Sequence, residues 1–350
     1  MPTDSFRIRP NITFLMFMIL AWLLFLPAVS HAVDQPAEKS TVKPAEKQPE
    51  KPIEKQIVYI AAKGDLPYWK IIGQGVKSVA DTNGYNYVEM DSGLNPQKQL
   101  KNAQDAIAKN VAGIIISPID SKSVSDVLAL ALKAKIPVVI ADVGAASGEY
   151  LSYVRSDHYR GAYDLGLAMA AAMKEKGWSD SPFSMITLTL TRKNGQDITN
   201  GFRDAMKDTG ITKETPLHQM QDSSSGETQR WVKDLLVSTP TLRGLFIESD
   251  QAAAGAIQAV KDIKKTGALF LASFDITPDV ADLLKSDALL AAGMQQPFLI
   301  GTKSAGALFS SLSGTAPPKQ ILVPVLIANG KNITQLISVA NKTVFGKDGP

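Results

Sequence analysis

The chain has 350 residues, 45% of them hydrophobic, and its 37 basic side chains are nearly matched by 34 acidic ones, for a formal net charge of +3. This is globular composition with material for about two domains, and the absence of a dense basic stripe with interleaved aromatics excludes nucleic acid as a partner. The chain has no cysteine, which removes a thiolate nucleophile, a Cys-ligated metal and a lipid-modified cysteine anchor from consideration.

The first stretch, "MPTDSFRIRPNITFLMFMILAWLLFLPAVSHA", has the form of a secretory signal. Arg7 and Arg9 supply a charged start, Ile12 to Leu26 an apolar run, and Ser30 and Ala32 the small residues of a cleavage site. The expectation is export to a periplasm-like space with residues 1–32 removed. Next comes "VDQPAEKSTVKPAEKQPEKPIEKQ", in which prolines recur every few residues among balanced charges. Such a segment has too little apolar surface to order itself, so residues 33–55 are expected to form a disordered spacer.

From Gln56 onward short apolar runs alternate with helical stretches. "QIVYIAA", "YNYVEMD", "AGIIISP" and "IPVVIAD" have strand character, separated by the helical "PYWKIIGQGVKSVADTNG", "NPQKQLKNAQDAIAKN" and "SKSVSDVLALALKAK". After Ser156 the rhythm resumes. The strands "FSMITLTLT", "RGLFIESD", "ALFLASFD" and "LLAAGMQQ" alternate with helices that begin at "HYRGAYDLG", "GQDITNGF", "SGETQRW", "AAAGAIQ", "TPDVADLL" and "IGTKSAGA". Continuous Val/Ile runs between helices of about a dozen residues predict βαβ units and parallel sheets covered on both faces. The expected fold class is α/β, with two consecutive doubly wound lobes.

In open α/β sheets ligands bind beyond the carboxyl ends of the strands, so the residues following each strand are the candidates. They include Asp65, Tyr68 and Trp69 after the first strand, Ser117 and Asp120 after "IIIS", and Asp142 after "VVIA". Arg192, Lys193, Asn194 and Gln196 follow "MITLTLT", Ser249 and Asp250 follow "LFIE", Asp275 follows "LASF", and Gln295 and Gln296 follow "AAGM". An acid in such a place often caps the next helix; Asp120 is expected to do so, and Asp275 has that alternative. Trp69 shares a helical face with Ile72 and Val76, so a core role is its alternative. Acids, amides and two aromatic rings gathered at one rim nevertheless fit a cleft for a small polar ligand.

The stretch from "LPYWKIIGQGVKSVADTNGYNYVEMDSGLNPQKQLKNAQ" through "IIISPIDSKSV", followed in order by "VIAD", "VRSDHYRGA", "NGF", "LFIESDQAAAGA", "SFDITPD" and "MQQP", resembles the periplasmic ribose-binding family over residues 57–327. The resemblance implies a type I periplasmic binding fold. One lobe comprises residues 56–156 plus about 296–322 and the other 157–295 plus about 323–350, with chain crossings near Ser156, Gln295 and Val323. It also implies that Tyr68 and Trp69 flank a sugar ring and that Asp142, Asp275 and Gln295 bond its hydroxyls. Gln196, Val143 and Ser249 stand where the family places two arginines and an asparagine, so this chain departs from the pattern at those positions. The implied partners are a sugar-like small molecule and an inner-membrane ABC permease, or alternatively a membrane sensor.

Catalysis is not expected. His158 and His218 are far apart in sequence and no G-x-S-x-G elbow is present. "GQGVKS" at Gly73 lacks the third glycine of a dinucleotide fingerprint and lies within a helix. Neither a metal nor a cofactor is expected.

Overall fold

Two six-stranded sheets, each wrapped by helices, form the molecule, and their carboxyl-end loops create the site described below. The computed structural model describes residues 54–221 and 224–344. The expected signal segment and the spacer up to residue 53 lie outside the described residues. The first strand begins earlier than expected, at Glu54, because Glu54 pairs with Val111 across a register irregularity.

The first sheet is built from β1 (Glu54–Ala61), β2 (Asn86–Asp91), β3 (Val111–Ile116), β4 (Val138–Ala141) and β5 (Ser152–Ser156), joined at one edge by β11 (Gln320–Val323). Its order is β11-β5-β4-β3-β1-β2 and every pairing is parallel. The helices α1 (Pro67–Thr82), α2 (Pro96–Ala108), α3 (Val124–Lys133) and α9 (Pro297–Leu312) cover it. The second sheet repeats the plan with β6 (Phe183–Thr187), β7 (His218–Gln219), β8 (Gly244–Ile247), β9 (Phe270–Phe274), β10 (Ala291–Met294) and β12 (Leu326–Asn329), in the order β12-β10-β9-β8-β6-β7. Here the added edge strand β12 pairs antiparallel to β10. The helices α4 (His158–Glu175), α5 (Lys193–Asp208), α6 (Ser225–Ser238), α7 (Asp250–Asp262), α8 (Pro278–Lys285) and α10 (Ile333–Thr343) belong to this half. Strands β3, β4, β6, β8 and β10 are buried at every residue, as expected for parallel strands packed by helices on both faces.

Local chemistry sets the helix starts. Asn95 accepts a hydrogen bond from the Lys98 amide at 3.0 Å ahead of Pro96. Thr277 accepts from Val280 N at 3.3 Å ahead of Pro278, and Asp157 from Arg160 N at 3.3 Å ahead of His158. Helices α1 and α9 approach backbone to backbone: a Cβ on Gly301 would lie 2.1 Å from the Ile72 carbonyl oxygen, and one on Gly75 2.3 Å from that of Phe298. Only glycine allows that contact, which fixes α1, and with it Tyr68 and Trp69, against the rest of the half.

The chain passes between the sheets after Ser156, after Met294 and after Val323. Gln296 Nε2 donates to the Pro324 carbonyl at 2.8 Å, tying the second passage to the third.

Candidate functional site

The two halves present equivalent acids. Asp142 follows β4 and Asp275 follows β9, the fourth strand of each doubly wound order. Both adopt the left-handed backbone region, with φ of 74° and 70°. Each donates its amide across to the neighbouring strand, Asp142 N to Val154 O and Asp275 N to Gly293 O, both at 2.9 Å. A non-glycine residue pays about 1–2 kcal/mol for that conformation, although Asp tolerates it better than most. Such strain concentrates at functional sites. The turn aims both carboxylates off the strand ends instead of into the caps of the following helices. Thr277, not Asp275, caps α8.

Tyr68 and Gln295 join these acids. The Tyr68 hydroxyl shares its proton between Asp142 Oδ1 at 3.2 Å and Gln295 Oε1 at 3.1 Å. Gln295 Nε2 in turn donates to Asp275 Oδ1 at 2.5 Å. The line Asp142–Tyr68–Gln295–Asp275 thus runs from the ends of one sheet to the ends of the other. His158, at the start of α4, meets Gln295 Oε1 through Nε2 at 3.0 Å. Trp69 packs edge-on to Tyr68, ring centroids 6.1 Å apart. Its buried indole N–H pulls on Asp142 without completing a hydrogen bond of good geometry.

Electrostatics follow from this enclosure. Burial raises the Asp142 carboxyl above its ordinary value, while Arg192, Tyr68 and Trp69 oppose the rise. Burial also pushes Asp275 up to about 7, opposed by Gln295 and reinforced by the nearby Asp250 and Asp142 charges. His158 is lowered to about 4 by burial and by the Arg155 cation, so its imidazole is neutral at pH 7. Asp142 and His158 are buried, whereas Tyr68, Trp69, Asp275 and Gln295 are half-buried. A second cross-sheet contact lies beside the site: Arg155 at the end of β5 meets Asp197 on α5 at 3.2 Å, both largely buried, and Lys193 also reaches Asp197.

The arrangement offers charged acceptors, an amide and aromatic edges, all at the carboxyl ends of two sheets. A family model described as periplasmic binding protein domain matches residues 57–316. The chain belongs to that family. Among relatives, the ribose import binding protein RbsB of Salmonella typhimurium is 29% identical over 249 residues, covering 71% of this chain and 81% of its own length. A solved periplasmic ribose ABC transporter structure from Conexibacter woesei superposes with a TM-score of 0.75 at 20% identity, covering 82% of this chain and 95% of that one. A solute-binding protein from Agrobacterium vitis bound with alpha-D-tagatopyranose does so with a TM-score of 0.72 at 21% identity, covering 81% and 97%. At these identities the structures establish the two-lobed α/β fold.

Within this periplasmic binding protein, five of the eight sequence candidates come together: Tyr68, Trp69, Asp142, Asp275 and Gln295. The other three do not join them. Asp65 is exposed on the loop before α1, 3.9 Å from Lys63. Gln196 is exposed because its Nε2 donates to the Leu190 carbonyl at 2.8 Å, which turns it outward. Ser249 occupies the N-cap position of α7 with no side-chain capping bond. Arg192 instead acts on Asp142, supplying the cation that Val143, buried in the core, and Gln196 do not. The sequence marks His158 only as one of two distant histidines that make neither a catalytic triad nor a metal site. The signal for its site role was the acid Asp157 just beyond a strand, a pattern identical to the one that marked the other strand ends.

Proposed function

We propose that the chain is an exported solute-binding protein that captures a sugar-like polyol between its two lobes and delivers it to an inner-membrane ABC permease. The observation that carries this reading is the line Asp142–Tyr68–Gln295–Asp275 bridging the two sheets. Ionised carboxylates accept hydroxyl protons with charge assistance worth about 1.5–3 kcal/mol each. An amide such as Gln295 both donates and accepts, matching a hydroxyl, and the rings of Tyr68 and Trp69 suit the C–H face of a sugar. The ribose import protein named above supports the substrate class, and family membership supports a periplasmic address.

The lobes in this reading are residues 56–156 with about 296–322, and 157–295 with about 323–350. They close about the passages at Ser156, Gln295 and Val323 as a hinge. Membership of a solute-binding family accords with a role without catalysis. The test is a melting screen of residues 33–350 against sugars and polyols. A ligand at 100 times its dissociation constant adds about 2.7 kcal/mol to native stability. A monosaccharide hit that disappears in Trp69→Ala and Asp275→Ala supports the reading; a panel flat for sugars and positive elsewhere removes the sugar assignment.

A further inference from the structure

The charge balance of the cleft departs from what a neutral sugar needs. Asp142, Asp275 and Asp250 are all raised by burial, and Asp250 and Asp142 each repel the Asp275 charge. Against them stands Arg192, which acts on Asp142. Asp275 has the Gln295 amide as its hydrogen-bond donor. Arg155 is engaged by Asp197. At the two positions where the family resemblance calls for arginine, the chain has a buried Val143 and an outward Gln196.

Two buried donors, Trp69 Nε1 and Arg192 Nε, lack a hydrogen bond of good geometry, and both residues act on Asp142, not on Asp275. Gln295 turns its Nε2 to Asp275 and its Oε1 to Tyr68 and His158. His158 must therefore donate from Nε2, which leaves Nδ1 as a bare acceptor, and that nitrogen is buried without a partner on a side chain 1% exposed. Ser156 is fully buried, with its hydroxyl beside that of Tyr68 and no hydrogen bond of good geometry. Asn194 Oδ1, in the first turn of the helix α5 that Arg192 precedes, is also buried and unpartnered.

We infer that the ligand carries a cationic nitrogen, as in an amino sugar or amino polyol, with its ammonium set between Asp142 and Asp275 and its hydroxyls taken by the surrounding polar groups. An ammonium brings three donors and no acceptor, the complement of two carboxylates of which Asp275 is held by the Gln295 amide and, among the described residues, by no cation. Enclosing a neutral ligand leaves the carboxylates desolvated with too little compensation, which is costly; enclosing a cation neutralises them at close range in a low dielectric. This rests on the polyol-binding reading above and specifies its substrate class.

The test is isothermal titration calorimetry of the purified protein with matched pairs: D-glucosamine and D-glucose, D-galactosamine and D-galactose, D-mannosamine and D-mannose. The linear diamine 1,4-diaminobutane is titrated alongside. The expected result is at least one amino sugar bound tenfold or more tightly than its neutral parent, a difference of about 1.4 kcal/mol. Asp275→Asn, which keeps the side-chain shape and tolerates the left-handed backbone, is expected to reduce that preference below threefold; a preference that survives it unchanged refutes the placement of the ammonium. A neutral parent binding as well as its amine overturns the inference and leaves the sugar reading standing. Binding of the diamine with no sugar of either kind supports the cationic site and sinks the sugar reading. No binding by any probe overturns both.

Discussion

Replacing Glu248 with Gln should change how stability depends on pH. Glu248 follows β8, is 1% exposed, and accepts hydrogen bonds from Thr199 Oγ1 at 2.6 Å and from Leu188 N at 2.9 Å. Burial drives its carboxyl from 4.5 up to about 8, opposed by those two bonds and by Arg203. At about 1.36 kcal/mol per pH unit, ionising it costs the folded state about 5 kcal/mol more than the unfolded chain. Because the folded value is the higher one, this contribution is fully present below pH 4.5 and is lost as pH rises towards 8. Between pH 5 and 8 the loss is about 3 kcal/mol. Glu248→Gln retains the shape: its Oε1 accepts from Leu188 N, its Nε2 donates to Thr199 Oγ1, and it cannot ionise. The assay is thermal melting of both proteins from pH 5 to 8.5. At about 2 °C per kcal/mol for a chain of this size, the melting temperature of the variant should gain about 6 °C on the wild type across that range. Asp275 and Asp142 also titrate but are common to both proteins, so the difference isolates Glu248. A melting difference that does not vary with pH refutes the reasoning.

Tyr68→Phe removes the hydroxyl shared by Asp142 and Gln295. It should weaken ligand binding by about tenfold, the loss of one bond to a charged group, with a circular dichroism spectrum unchanged. Gly301→Ala places a Cβ 2.1 Å from the Ile72 carbonyl and should destabilise the protein by about 3 kcal/mol, the upper range for overpacking, measured by urea unfolding. Asp197→Ala leaves Arg155 largely buried without its carboxylate and should cost about 3 kcal/mol, read in the same unfolding assay.

The architecture was legible because buried parallel strands announce themselves: "AGIIIS" and "PVVIA" became β3 and β4 with every residue buried. Elements with weaker patterns were not. β7 spans only His218–Gln219, and β11 and β12 are four residues each with half-exposed patterns, too short to carry a period. β6 stops at Thr187, short of the expected "LTLT" extension, because Leu188 N is drawn to the buried Glu248. At the site, strand-end position located Asp142 and Asp275 because the polar residue directly follows an apolar run. It could not tell which way a side chain on the next loop turns. Gln196 and Arg192 lie four residues apart on one loop and helix start; a single bond to Leu190 O sends Gln196 outward, and the buried Asp142 draws on Arg192. That choice is made by tertiary contacts, not by residue type.

In the proposed function, acids from two separate sheets serve one ligand site. Calorimetric titration of the polyol found in the melting screen, against the wild type, Asp142→Ala and Asp275→Ala, tests it most directly. One binding site per chain is expected, with a loss of at least thirtyfold in affinity for each substitution, about 2 kcal/mol, although the two residues belong to different sheets. Undiminished affinity in either variant, with the fold intact, contradicts it.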